Sequence, residues 1–135
     1  MNILIASQNI ALGGAQRVVI HLSDYLNRNG HNAWILTPHL DLEGMPDVAR
    51  RQQYLEAPYP ILKKVNYEYK MKDSIFNLAF NIIRIRNYLQ DVVKKYQIDL
   101  VNAHNPPSNW IAAFSGVPVV WSCNEPISLC FSRRK

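Results

Sequence analysis

Apolar positions along the chain change period repeatedly, with short unbroken runs alternating with stretches that repeat every three or four residues. The opening run Asn2-Ile3-Leu4-Ile5-Ala6 is continuously apolar after its first residue, the pattern of a strand covered on both faces. From Ala15 to Asn29 the apolar positions Ala15, Val18, Val19, Leu22, Tyr25 and Leu26 step by three and four. That spacing predicts a helix, closed by Gly30 as a left-handed C-terminal cap. Ala33-Trp34-Ile35-Leu36 then reads as a second strand stopped by Thr37-Pro38, completing a βαβ unit whose right-handed crossover is nearly obligatory.

Residues 39 to 73 read as connection with room for one short strand. Pro46, Pro58 and Pro60 interrupt the segment, and the residue before each proline is pushed toward extended geometry. Ser74 is placed to cap a long helix whose positions Ile75, Leu78, Ile82, Ile85, Leu89, Val92 and Tyr96 hold helical spacing throughout. Phe76, Ala79, Phe80 and Ile83 widen its apolar face beyond a coiled-coil seam, so packing on a sheet is expected. A strand at Leu100-Val101-Asn102-Ala103, a short helix from Ser108 to Phe114 and a strand from Val117 to Trp121 complete the order. Alternating strands and helices predict an α/β fold, a Rossmann-like doubly wound parallel sheet that stops before it is complete.

Composition narrows the class without choosing a chemistry. The 135 residues are 48% hydrophobic and 19% charged, which suits one ordinary domain with one core. Fifteen Lys and Arg against ten Asp and Glu leave a net charge of +5. The basic pairs are scattered, without interleaved aromatics or a recognition helix, so no nucleic-acid partner is expected. Phosphorylated small molecules and an acidic membrane surface stay open. Cys123 and Cys130 lack a second pair or a histidine at ligand spacing and read as two reduced thiols, with no metal site. The first strand begins too early and without a basic leader for a signal peptide, and no apolar stretch is long enough to span a bilayer. A cytoplasmic protein is expected, with a peripheral position at the cytoplasmic membrane face as the alternative.

In open parallel sheets, ligands collect beyond the carboxyl ends of the strands, where helices begin with unpaired amides. Three loops reach that edge: Ser7 to Gly14, His104 to Ser108 and Ser122 to Pro126. In the first, Gly13 and Gly14 precede a helix, so an anion can approach the backbone closely. The dinucleotide pattern G-x-G-x-x-G is absent, no acidic residue ends the second strand, and no Gly-Lys-Ser/Thr forms a P-loop. A glycine pair that merely turns the chain is the competing reading. In the second loop His104 directly follows a strand, where an imidazole can serve sugar hydroxyls or simply satisfy the loop. In the third, Asn124 and Glu125 place an amide and a carboxylate beside His104 if the two strands are neighbours; capping of a turn is the alternative for Glu125.

At these residues a family resemblance enters. Gly13-Gly14-Ala15-Gln16-Arg17, the following His21-Leu22 and Tyr25-Leu26, and Asn29-Gly30-His31 resemble the opening of family 4 glycosyltransferases, often written G-G-A-E-R. Asp99-Leu100-Val101-Asn102-Ala103-His104-Asn105 is similar to their D-V-V-x-A-H segment, and Trp121-Ser122-Cys123-Asn124-Glu125-Pro126 to W-x-C-N-E-P. Gln16 departs from the usual Glu. The resemblance implies the N-terminal domain of a GT-B enzyme over residues 1–126, with a tail at 127–135. The donor-binding C-terminal domain with its E-x7-E carboxylates would be absent from the chain, which is then expected to be inactive alone.

The implied activity is retaining transfer, a hexosyltransferase reaction from a UDP- or GDP-linked nucleotide sugar to a glycan or lipid-linked acceptor, without metal. By position, the resemblance assigns Gly13 and Gly14 to the donor phosphates, His104 to catalysis, and Arg17, Asn105, Asn124 and Glu125 to the acceptor. Two readings of other classes compete. One is a non-catalytic Rossmann-like subunit acting with a separate catalytic chain; the other is a flavodoxin-like module unrelated to sugars.

Overall fold

A computed structural model describes residues 1–57, 75–104 and 108–123. The expected cap at Ser74, the aromatic segment around Tyr59 to Tyr69, Asn105, Asn124, Glu125 and Cys130 lie outside those residues. The elements in chain order are β1 (Asn2–Ser7), α1 (Gly14–Arg28), β2 (Asn32–Thr37), α2 (Asp47–Arg50), β3 (Gln53–Glu56), α3 (Ile75–Lys95), β4 (Leu100–His104), α4 (Ser108–Ala112) and β5 (Val119–Ser122). The five strands form one sheet in the order β3-β2-β1-β4-β5, and every pairing is parallel. This is the doubly wound Rossmann-like arrangement that the alternating pattern predicts.

Successive strand residues point to opposite faces, and the core divides accordingly. Leu4, Ala6, Leu36, Val101 and Ala103 pack with Leu89 and Val92 of α3 and Ala112 of α4. Ile3, Ile5, Ala33 and Ile35 pack on the other face with Val19 and Ile20 of α1 and Ala49 of α2. The central strands are therefore covered on both sides, which accounts for their unbroken apolar runs.

Several expectations need correction. The connecting segment contains a helical turn, α2, ahead of its short strand β3. The α1 stripe is rotated from the expected one: Val18 is 49% and Tyr25 64% exposed, whereas Ile20 and Ser23 are fully buried. The cause is a polar seam. The Ser23 hydroxyl donates to Gln52 Oε1 at 2.8 Å, and Asn27 Oδ1 accepts from the Ala33 amide at 2.8 Å, so these two polar positions face the sheet and α2. Ile83, expected on the core face of α3, is 54% exposed. The short helix α4 stops at Ala112, and the last strand starts at Val119.

Gly30 does cap α1. Its φ is +81, and the His31 and Gly30 amides donate to Leu26 and Asn27 carbonyls at 3.1 and 3.4 Å, the paired bonds of a Schellman motif. The end of α3 has the same pair, Ile98 to Val93 and Gln97 to Lys94 at 2.9 and 3.3 Å. There Gln97, at φ +50, occupies the left-handed position. These ends turn the chain back so that β2 and β4 start at the same edge as β1, and all three strands deliver their carboxyl ends together.

Candidate active site

The carboxyl edge brings together the strand ends from which the expected loops leave. In register, Ser7 of β1 sits beside His104 of β4, and His104 sits beside Ser122 of β5. Strand alternation puts this row on the sheet face that α1 covers, one step beyond Ile3 and Ile5. Ser7 and His104 are 8% and 2% exposed, so polar groups occupy what would otherwise be core. One pleat earlier, buried Asn102 donates to Ser122 Oγ at 3.2 Å and joins the last two strands.

This neighbourhood was only partly foreseen. The condition set for the third loop, that β4 and β5 be neighbours, is met, because the two strands pair. The row of Ser7, Asn102 and Ser122 around His104 was missed. Its signal lay in the sequence as a period of two: Asn102 and His104 interrupt an otherwise apolar strand at alternate positions.

Burial holds the His104 pKa below the ordinary imidazole value, because charge is disfavoured away from water. The group is therefore neutral near pH 7, able to donate through one ring nitrogen and accept through the other. A neutral imidazole is suited to orient a hydroxyl or to take a proton from it, and poorly suited to act as a fixed cation.

The loop from β1 to α1 is held at both ends. The Ser7 hydroxyl donates to the Asn9 carbonyl at 3.1 Å. Ile10, fully buried, accepts from the Asp41 amide at 2.7 Å and donates to the His39 carbonyl at 2.9 Å. Strand β2 ends on Thr37, whose hydroxyl donates to the His39 carbonyl at 2.8 Å, where a dinucleotide fingerprint would have an acidic residue. Gly13 is the N-cap of α1, and it has no side-chain cap hydrogen bond; no acidic residue occupies the first turn. Glycine in place of a Ser, Thr, Asp or Asn cap forgoes only about a few tenths of a kcal/mol of helix stability. The first-turn amides are then available to an anion, favoured further by the helix dipole.

The two glycines differ. Gly13 has φ 179, extended backbone open to any residue, but a Cβ there would run into Gln16 Oε1. Gly14 has nothing within 4 Å of its would-be Cβ, so its Cα side is open to an approaching group. Arg17 is exposed in the following turn of α1.

A cavity of about 20 Å³ opens at this edge on the opposite, α3 and α4 face, lined by Ala6, Leu36, Pro38, Leu89 and Ile111 among others. That is room for about one water, whereas ligand pockets run to roughly 300–1,000 Å³. Neither the glycines nor His104 line it. Among the described residues, no group of three His, Cys, Asp or Glu could hold a metal, and no helix is long and apolar enough to cross a membrane.

A five-stranded parallel sheet with helices on both faces, a helix start and a buried histidine at its carboxyl edge defines a Rossmann-like domain. The family follows from sequence: the model for Glycosyltransferase Family 4 matches residues 12–134, and the chain belongs to that family. Among solved structures, it is similar to a glycosyltransferase from Rickettsia africae ESF-5, with 15% identity and a TM-score of 0.58 over 95% of this chain. The match covers 32% of that protein, so this chain spans about a third of its length. It is also similar to the C-terminal domain of a hydrogenase from Pyrococcus furiosus, with 14% identity, a TM-score of 0.52 and 90% of each chain covered. At these identities the likeness is one of fold, which does not fix chemistry. No curated protein matches the chain.

Proposed function

We propose that the chain is the N-terminal, acceptor-side part of a retaining glycosyltransferase, moving a hexosyl group from a UDP- or GDP-linked sugar to a glycan or lipid-linked acceptor. The observation that carries the proposal is the uncapped start of α1 at the edge where His104 lies, in a chain of this family. The open Cα of Gly14 and the first-turn amides suit a diphosphate oxygen, whose charge grows as the sugar departs. Neutral His104 suits a hydroxyl of the reacting sugar. Arg17 suits the acceptor, through a phosphate if the acceptor is lipid-linked. Asn105, Asn124 and Glu125 are assigned to the acceptor from the sequence resemblance alone.

A nucleotide sugar would be enclosed only when a donor-binding domain faces this edge, and metal would not be required. The basic balance supports a working position at the cytoplasmic membrane face.

The test is transfer by the whole protein from UDP- and GDP-sugars to glycan and lipid-linked acceptors, with the anomeric configuration of the product read by NMR. Retention is expected, and H104A should lower kcat on the order of a hundredfold, within the range of acid–base groups. Inversion, or full activity of H104A, would refute the corresponding part. The 135-residue chain should bind nucleotide sugars no more tightly than about millimolar; micromolar binding would overturn its assignment to the acceptor side.

A further inference from the structure

The pair of glycines that opens α1 is served by a side chain that no part of the foregoing reaction uses. Gln16 lies at the third position of the helix, where a Glu or Gln can reach back toward the cap residue. Here its Nε2 donates instead to Asn9 Oδ1 at 2.9 Å, in a partly buried contact. Its Oε1 occupies the space that a Cβ on Gly13 would need. Backbone conformation does not require glycine at 13, since φ is 179; a Cβ there would instead displace the end of the Gln16 side chain from its present place. Asn9 belongs to the loop that Ile10 fastens to His39 and Asp41. A single amide thus ties that fastened loop to the first turn of α1.

We infer that Gln16 is a positioning residue: its clasp to Asn9 fixes the Gly13-Gly14 turn and so aims the first-turn amides at the anion they receive. The inference rests on the proposed function for the identity of that anion, but the clasp itself does not. Without the clasp, the loop and the helix start would move independently. Binding of a diphosphate would then first require the turn to be ordered, which weakens donor binding more than it slows the chemical step.

Exchange of partners gives a specific test. In Q16E the carboxylate can accept from Asn9 if the Asn9 amide turns to donate, so the clasp survives. In N9D the carboxylate accepts from Gln16 as before. In the double variant N9D/Q16E two carboxylates face each other and the clasp opens near pH 7, closing again at lower pH when one proton is shared. The whole protein, labelled with 15N-glycine, reports the Gly13 and Gly14 amides by NMR while steady-state kinetics report the donor KM.

Q16A and N9D/Q16E should shift both amides and raise the donor KM about tenfold with kcat changed less than about threefold, and Q16E and N9D should stay near the parent. Thermal melting separates this from a general loss of fold, since the parent Tm should be retained within a few degrees. Unchanged amides and KM in Q16A, or Q16E as impaired as Q16A, would overturn the proposal. If the glycine amides respond as expected while the parent neither binds nor uses nucleotide sugars, the clasp stands and the transferase reading is what fails.

Discussion

Strands β2 and β5 are both parallel members of one sheet and both rich in apolar residues, yet their surroundings differ. In β2, Ala33, Ile35, Leu36 and Thr37 are all buried, between α1 and α2 on one face and α3 on the other. In β5, Val119, Val120 and Trp121 are 38%, 48% and 50% exposed, so its side chains are open on both faces of the strand among the described residues. Apolar sequence makes a strand fit for burial; the neighbours available on each face decide whether burial occurs. The fully covered side also holds the fastened loop and the Gly13-Gly14 turn, while His104, itself buried in β4, sits beside Ser122 of the open strand. The candidate site therefore spans a boundary between rigidly packed and openly exposed structure.

The first way to break this comparison is to remove core volume from the covered strand. Ile35 is fully buried in the cluster with Ile5, Val19 and Ile20. Ile35→Ala should destabilise the protein by about 2–5 kcal/mol, combining lost transfer energy with the cavity left behind. Urea unfolding with an unchanged slope would measure it; a loss under about 1 kcal/mol would mean that the α1 face is not packed as described.

The two sides also differ in how far they are legible in the sequence. The βαβ unit from Asn2 to Thr37 is legible because local signals agree: an unbroken apolar run, a helical stripe and a glycine cap. Its rotation is not, because Ser23 and Asn27 are polar residues whose partners, Gln52 and the Ala33 amide, come from other elements. Polarity alone assigns such residues to solvent. The helix α2 escapes because four residues carry too little periodicity to detect. At the site, Gly13 and Gly14 are legible from their place at a helix start and His104 from its place at a strand end, and the neighbourhood of Ser7, His104 and Ser122 needs the register of three strands that are far apart in sequence. The Gln16 clasp is less legible still, since it depends on where one amide points.

A second test concerns the histidine at the boundary and is smaller in effect. Burial lowers the folded-state pKa of His104 below its ordinary value of 6.5. In the unfolded chain the imidazole takes up a proton as pH falls through about 6.5, while the folded protein resists. The unfolded state then binds more protons, so stability contributed by this group is complete above that pH and falls below it, until the lower folded pKa is reached. The slope attributable to one group cannot exceed about 1.4 kcal/mol per pH unit. Denaturation of the parent and H104N at pH 7.5 and 5.5 should show a smaller loss in the variant. Equal losses would indicate that His104 is solvated and that the less covered side of the sheet extends further than the structure shows.

The smallest expected effect is at the exposed strand itself, and it is the sharpest test of the comparison. Val120 is 48% exposed, on the face opposite Val119 and Trp121. Val120→Ala removes two methyl groups that already contact water, so its cost should stay within about 0.5 kcal/mol, as for other surface substitutions. The same truncation would cost about 2 kcal/mol or more if the side chain were enclosed. Measured in this chain, the small value is expected. In the whole protein, a rise toward the larger value would show that something beyond the described residues packs on β5, making the strand a buried one after all. Equal small values in both would leave β5 as a genuine open edge, and the donor-binding domain proposed above would then have to meet the sheet at its carboxyl end without touching this strand.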